Sequence, residues 1–126
     1  MSKKRINTDK APAAIGPYSQ GITTGGFLFT SGQLPIDPET GKLSEGSTEK
    51  QAHVALRNLK YIAEEAGTSL DKAVKITVFL ADIADFQAVN AVYAEYFAEP
   101  FPARSAFQVA ALPLGAALEI EAIFEM

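Results

Sequence analysis

Cysteine is absent from these 126 residues. That removes disulfides, thiol nucleophiles and thiolate metal sites together, and it leaves the redox compartment undetermined. Histidine occurs once, as His53. A single imidazole without thiols argues against zinc of the usual nitrogen and sulfur type. Serine–histidine nucleophilic chemistry is equally unsupported, because no base is available near any candidate serine. With Glu49 and Arg57 four residues to either side, His53 reads as a partly exposed surface histidine. There is no EF-hand loop and no acidic cluster, so no metal site is expected. No apolar run approaches the roughly 20 residues that span a bilayer. The start, Met1-Ser2-Lys3-Lys4-Arg5, is basic, but no apolar segment follows it; it does not read as a secretory signal. A cytoplasmic protein that needs no membrane is the expectation. Positive charge is in deficit: 11 Lys and Arg against 15 Asp and Glu give a net charge of −4 and a pI near 4.9. Nucleic acid is therefore an unlikely partner, because its binding is dominated by phosphate neutralisation.

What is present suffices for one folded unit. Residues 1–126 show no break in composition, no repeat and no low-complexity stretch, so one domain is expected. Hydrophobic residues make up 48% of the chain, which fits a globular protein. In order, the pattern predicts a short strand near Lys4–Thr8, then a strand Tyr18–Thr24. Gly25-Gly26 supplies the positive φ angles of a tight hairpin turn, and Phe27–Ser31 returns. Residues 32–46 are loop-rich. Ser47 caps a helix that runs to about Ala66 and stops at Gly67, with Ala52, Ala55, Leu56, Leu59 and Ile62 at helical spacing. Ala73–Leu80 is a strand. A second helix opens at Asp82 or at Ala84-Asp85, carries Phe86, Val89, Val92, Tyr93, Tyr96 and Phe97 as its stripe, and ends before Pro100. Two amphipathic helices covering one face of a mostly antiparallel sheet is the α+β solution.

The most informative stretch is 101–121. It reads as strands Ala103–Ala110 and Ala117–Phe124 joined by a turn at Pro113 and Gly115. Alternation groups Arg104 with Ala106 and Gln108, and Glu119 with Glu121. If Phe107, Val109, Ile120 and Phe124 face the core, then Arg104, Glu119 and Glu121 share the other face. One reading is a solvated ion-pair network, worth about 0–1 kcal/mol per pair. The other is a site, with Pro102 fixing the chain and Ala106 and Ala110 leaving room. A guanidinium holds a carboxylate bidentately. Glu119 is placed to position or deprotonate a water; burial would raise its pKa and Arg104 would oppose that.

Pro102-Ala103-Arg104-Ser105 with Leu118-Glu119-Ile120-Glu121 resembles the signature of the Rid (YjgF) family. Ala14-Ile15-Gly16-Pro17-Tyr18-Ser19-Gln20 and Ser31-Gly32-Gln33-Leu34-Pro35 resemble two further blocks of that family. The similarity covers essentially the whole chain, and it is greatest to the RidA branch. It implies the chorismate-mutase-like fold and a homotrimer with clefts between subunits. It also implies hydrolysis of 2-enamine and 2-imine acids, such as 2-aminoacrylate and its imine tautomer, to 2-keto acids and ammonia without a cofactor. On this resemblance Arg104 holds the substrate carboxylate and Glu119 activates water, while Tyr18, Ser31, Gly32 and Asn90 line the cleft. Taken alone, Tyr18 reads as a strand anchor, Ser31-Gly32 as a strand terminator, and Asn90 as a helix position bonded to a loop. Many relatives carry cysteine where this chain has Ala106, so a thiol takes no part here. Two other functions are compatible with the resemblance: a non-catalytic sensor of small carboxylates, and RNA cleavage with translation inhibition.

Overall fold

The computed structural model describes residues 2–126. Its strands are β1 Lys4–Ile6, β2 Gly21–Thr24, β3 Phe27–Thr30, β4 Ala73–Leu80, β5 Ala103–Gln108 and β6 Leu118–Glu125. They form one sheet in the order β1-β2-β3-β6-β4-β5. All neighbours pair antiparallel except β4 and β5, which run parallel. Helices α1 (Thr48–Glu65) and α2 (Phe86–Tyr93) pack on one face. The α+β layering expected from the sequence is present.

Local chemistry explains most boundaries. Gly25 and Gly26 both take positive φ, 59° and 85°, so a two-residue turn matches the twist of β2 and β3. The Ser47 hydroxyl accepts the Lys50 backbone N–H at 3.2 Å and opens α1. At its other end Gly67 has φ +89°. The backbone N–H groups of Gly67 and Thr68 donate to the Glu64 and Ala63 carbonyls, closing the helix in the manner of a Schellman motif. The buried face of α1, with Leu56, Leu59 and Ile62, packs against Leu28, Ile76, Leu80, Leu118, Ile120 and Phe124. Each such side chain contributes about 1.5–3 kcal/mol by leaving water.

Several elements are shorter than the pattern suggests. β2 begins at Gly21 rather than Tyr18. Ahead of it the buried Gln20 side chain turns inward, accepting from Thr8 N–H at 2.7 Å and donating to the Pro12 carbonyl at 2.7 Å. Helix α2 is opened by a 3₁₀ turn at Ile83–Asp85 and ends at Tyr93, not near Pro100. Beyond it the N–H groups of Glu95 and Tyr96 bond the carbonyls three residues back. Tyr96 and Phe97 thus reach the core through a tighter turn, so the apolar stripe outlasts the α-helix.

The largest departure concerns β5 and β6. They are not partners, because β4 lies between them. In the parallel register Ile76, Val78 and Leu80 stand level with Arg104, Ala106 and Gln108. The β4 residues face the helices, so the β5 residues do too. Phe107 takes the opposite face, 45% exposed, with its ring edge-on to Phe79 at 5.6 Å. Ile120 and Phe124 face the core as expected; Phe107 does not. On the helix side of this edge strand the rings of Phe86 and Tyr93 lie against Arg104, and Ala106 packs against the core.

Candidate active site

Arg104 sits on the helix side of β5. Its guanidinium lies over the Phe86 ring at 5.5 Å and the Tyr93 ring at 4.7 Å. Nη1 donates to Asn90 Oδ1 at 2.7 Å. Phe86, Asn90 and Tyr93 are spaced by four and three residues, so they share one face of α2. Asn90 therefore bonds the arginine, not a loop. Tyr93 is buried, and its hydroxyl is the one buried side-chain polar atom among the described residues that has no hydrogen-bond partner. Burial pushes its phenol pKa up, against a smaller pull from Arg104.

Glu119 sits on the other face of the sheet, level with Phe79 and two residues from Glu121. Gln33 forms a two-way backbone bridge with Ile120, which sets Gly32 beside the Glu119 side chain. A Cβ on Gly32 would stand 2.8 Å from Glu119 Cδ, so here glycine is required by close approach and not by its φ angle. Ser31 is held in turn: its hydroxyl donates to the Ser19 carbonyl at 2.6 Å and its N–H to the Gln20 carbonyl at 2.9 Å. This ties the loop bearing Tyr18 to the end of β3. Tyr18 itself is 51% exposed. Burial raises the Glu119 carboxyl above its ordinary value, and the neighbouring Glu121 carboxylate raises it further. Arg104, on the far face, does not oppose the push.

The sequence-predicted residues thus fall into two groups. Arg104 and Asn90 form one, while Ser31, Gly32 and Glu119 form the other with Tyr18 on the adjoining loop. The expectation that Arg104, Glu119 and Glu121 share a face is incorrect within one chain. Arg104 is level with Ile76 and Glu119 with Phe79, about 10 Å further along the sheet at roughly 3.3 Å per residue. Phe107 is apolar yet faces away from the core, and β4 separates β5 from β6, so the face of one strand does not follow from the face of the other. Phe86 and Tyr93 entered the sequence reading only as helix stripe; their spacing around Asn90 was the available sign of a shared face. A groove of about 900 Å³ lies elsewhere, between α1 and residues 37–45, with Lys10 and Tyr61 among its lining. It includes neither Arg104 nor Glu119. His53 also stands apart, its Nδ1 2.8 Å from the Tyr96 hydroxyl and its Nε2 4.0 Å from a Glu95 carboxylate oxygen.

A family model described as Endoribonuclease L-PSP matches residues 8–126. The chain belongs to this family, the Rid (YjgF) family. The bovine 2-iminobutanoate/2-iminopropanoate deaminase is 52% identical over 123 residues, covering 98% of this chain and 90% of that relative. Among solved structures, RidA from the Antarctic bacterium Psychrobacter is 49% identical with a TM-score of 0.93, covering 98% of this chain and 99% of that one. E. coli TdcF, solved with bound serine, is 43% identical with a TM-score of 0.92, covering 98% of each chain. The sheet order and the two helices described above are therefore the Rid fold. No helix among the described residues is long and apolar enough to cross a membrane.

Proposed function

We propose that this Rid protein hydrolyses 2-imino acids, and the enamines in equilibrium with them, to 2-keto acids and ammonia. The observation that carries the reading is identity of about one half, over nearly the full chain, to proteins named 2-iminobutanoate/2-iminopropanoate deaminase. The local geometry agrees with that chemistry. Arg104 offers a planar, anchored guanidinium to a carboxylate, and Glu119 offers a carboxyl whose raised pKa suits proton transfer nearer neutrality. In the reaction, Arg104 grips the substrate carboxylate. Glu119 takes a proton from water as the oxygen attacks the imine carbon and the π electrons move to nitrogen. Glu119 returns that proton to the nitrogen, giving the carbinolamine; the hydroxyl proton then passes through Glu119 to the amino nitrogen, and the C–N bond breaks to release ammonia and leave the keto acid. The imine is already electrophilic, so no cofactor is needed.

Arg104 and Glu119 cannot serve one substrate from opposite faces of one sheet. We therefore assign the site to a cleft between copies of the chain, with Arg104 from one and Glu119, Gly32, Ser31 and Tyr18 from the next. A homotrimer is the assembly proposed. The open face supports this: Phe29 and Phe107 are exposed there, and Phe79 and Ile123 lie beside them. A small apolar-rimmed surface of this kind favours burial against a second copy. Sedimentation equilibrium tests it, and a monomer mass would remove both the trimer and the shared cleft.

A second reading is a non-catalytic receptor for small carboxylates, favoured by the serine bound to E. coli TdcF. Freshly generated 2-iminopropanoate mixed with pure protein separates the two. Keto acid released faster than the spontaneous rate supports the deaminase. Spontaneous release beside measurable keto-acid binding supports the receptor. RNA cleavage, the chemistry in the family description, is disfavoured by the acidic charge; nuclease activity surviving Arg104→Ala and repurification would restore it.

A further inference from the structure

We infer that Phe86 and Tyr93 are positioning residues that set the plane of the Arg104 guanidinium, so that its free edge meets a substrate carboxylate already oriented. The inference rests on the reading of Arg104 as the carboxylate clamp. Three observations carry it. Both rings lie under the guanidinium, at 5.5 and 4.7 Å, within the range where a cation and an aromatic face attract. Asn90 Oδ1, between them on the same helix face, takes one N–H of the guanidinium at 2.7 Å. Among the described residues the guanidinium makes no other hydrogen bond and no ion pair. Of the five N–H donors an arginine carries, most are thus left for a ligand.

The physical need is plain. Arg104 is exposed and stands on an edge strand, where a long side chain samples many rotamers. Binding a carboxylate through two parallel N–H bonds requires one of those rotamers and one ring plane. A side chain already laid against two fixed aromatic faces has lost that freedom before the ligand arrives, and preorganisation of this kind appears as affinity. Tyr93 fits the part because its ring is buried while its hydroxyl bonds nothing. Its contribution to this region is therefore the ring face. Helix α2 then acts as a template: its sequence decides how the clamp on the neighbouring strand is aimed.

Calorimetric titration with 2-ketobutyrate, together with kcat and KM for freshly generated 2-iminobutanoate, tests the proposal. Tyr93→Leu is expected to weaken keto-acid binding by about 2- to 30-fold, the worth of a cation–π contact. KM should rise and kcat should hold. Tyr93→Phe, which keeps the ring face, should bind as the unaltered protein does. In an Arg104→Lys background the Tyr93→Leu penalty should shrink, since an ammonium has no plane to align. If Tyr93→Leu does not fold, Phe86→Leu, at a partly buried position, carries the same expectation. Unchanged affinity in a folded leucine variant overturns the inference, as does an equal loss in Tyr93→Phe or a full penalty in the lysine background. Unchanged affinity in Arg104→Lys itself overturns the clamp reading and this inference with it; weakened binding there beside an unaffected leucine variant overturns the inference alone.

Discussion

The two halves of the proposed site are built differently. On the helix face of β5, Arg104 is exposed and flexible by nature, and it is held from outside by α2 through two rings and an amide. On the open face of β6, Glu119 is partly buried in the middle of the sheet, and it is held by its own strand and by the missing side chain of Gly32. The cation is anchored but available; the carboxyl is restrained and pushed toward its neutral form. A charge that must bind stays exposed, whereas a base that must exchange protons near neutrality benefits from partial burial. Each half is preorganised within one chain, and on the proposed reading the two meet across an interface between copies.

Removing the base should have the largest effect. Glu119→Gln is expected to lower the hydrolysis rate, above the spontaneous background, by about 10²–10⁴-fold while 2-keto-acid binding survives. Loss of binding together with rate would instead make Glu119 a partner that orients Arg104. Full activity would place the base elsewhere. Next comes Arg104→Lys, which keeps the charge and loses the fork; keto-acid affinity should fall about 10- to 100-fold, as expected for a charge-assisted hydrogen bond. Calorimetry reads this directly, and unchanged affinity would make Arg104 structural. Gly32→Ala then probes the restraint on Glu119. The added methyl must displace the carboxyl, and a shift of about 1 Å is expected to reduce kcat by up to roughly 100-fold while leaving Arg104-dependent binding intact.

The smaller effects concern electrostatics and packing. The Glu119 carboxyl is raised above its ordinary 4.5 by burial first and by Glu121 second. With Glu119 as the proposed base the carboxylate is the active form, so activity is expected to rise with pH through that raised value. Glu121→Gln should therefore move the acid limb of the pH–rate profile to lower pH; a limb that stays in place would remove Glu121 from the account. The stability sign is the reverse of that for a salt-bridged carboxylate. Between the unfolded and raised values the folded state binds more protons, so this group's contribution to stability falls as pH rises through the window. Tyr93→Phe should be the mildest change, raising stability by about 1 kcal/mol by deleting an unpartnered buried hydroxyl. A lower midpoint in thermal denaturation would reveal a hydrogen bond that Tyr93 makes in the assembled protein.

Much of the fold was legible where one residue dictates the backbone: Gly25-Gly26 for the hairpin, Ser47 and Gly67 for the ends of α1. Boundaries failed where tertiary contacts override the local pattern, as when the Gln20 amide draws its loop inward ahead of β2. Arg104, Asn90, Gly32 and Glu119 could be named from motifs, yet their relative placement could not be read. Alternation tells which residues of a strand share a face; it does not tell which face, and it carries nothing across an intervening strand. The insertion of β4 between β5 and β6 separates the pair. The roles of Phe86 and Tyr93 were hidden for a related reason, since an apolar stripe on a helix looks the same whether it covers aliphatic core or a guanidinium.

The central claim is that a working site takes Arg104 from one copy and Glu119 from another. It is tested most directly by unfolding Arg104→Ala and Glu119→Gln chains, mixing them in equal amounts, refolding, and assaying 2-iminobutanoate hydrolysis. Each variant alone should be inactive. If the site is shared around a closed ring, random mixing restores both groups to about a quarter of the sites, and activity should return toward that fraction. If a single chain supplies both residues, every site in the mixture still lacks one of them, and mixed oligomers without recovered activity would contradict the account.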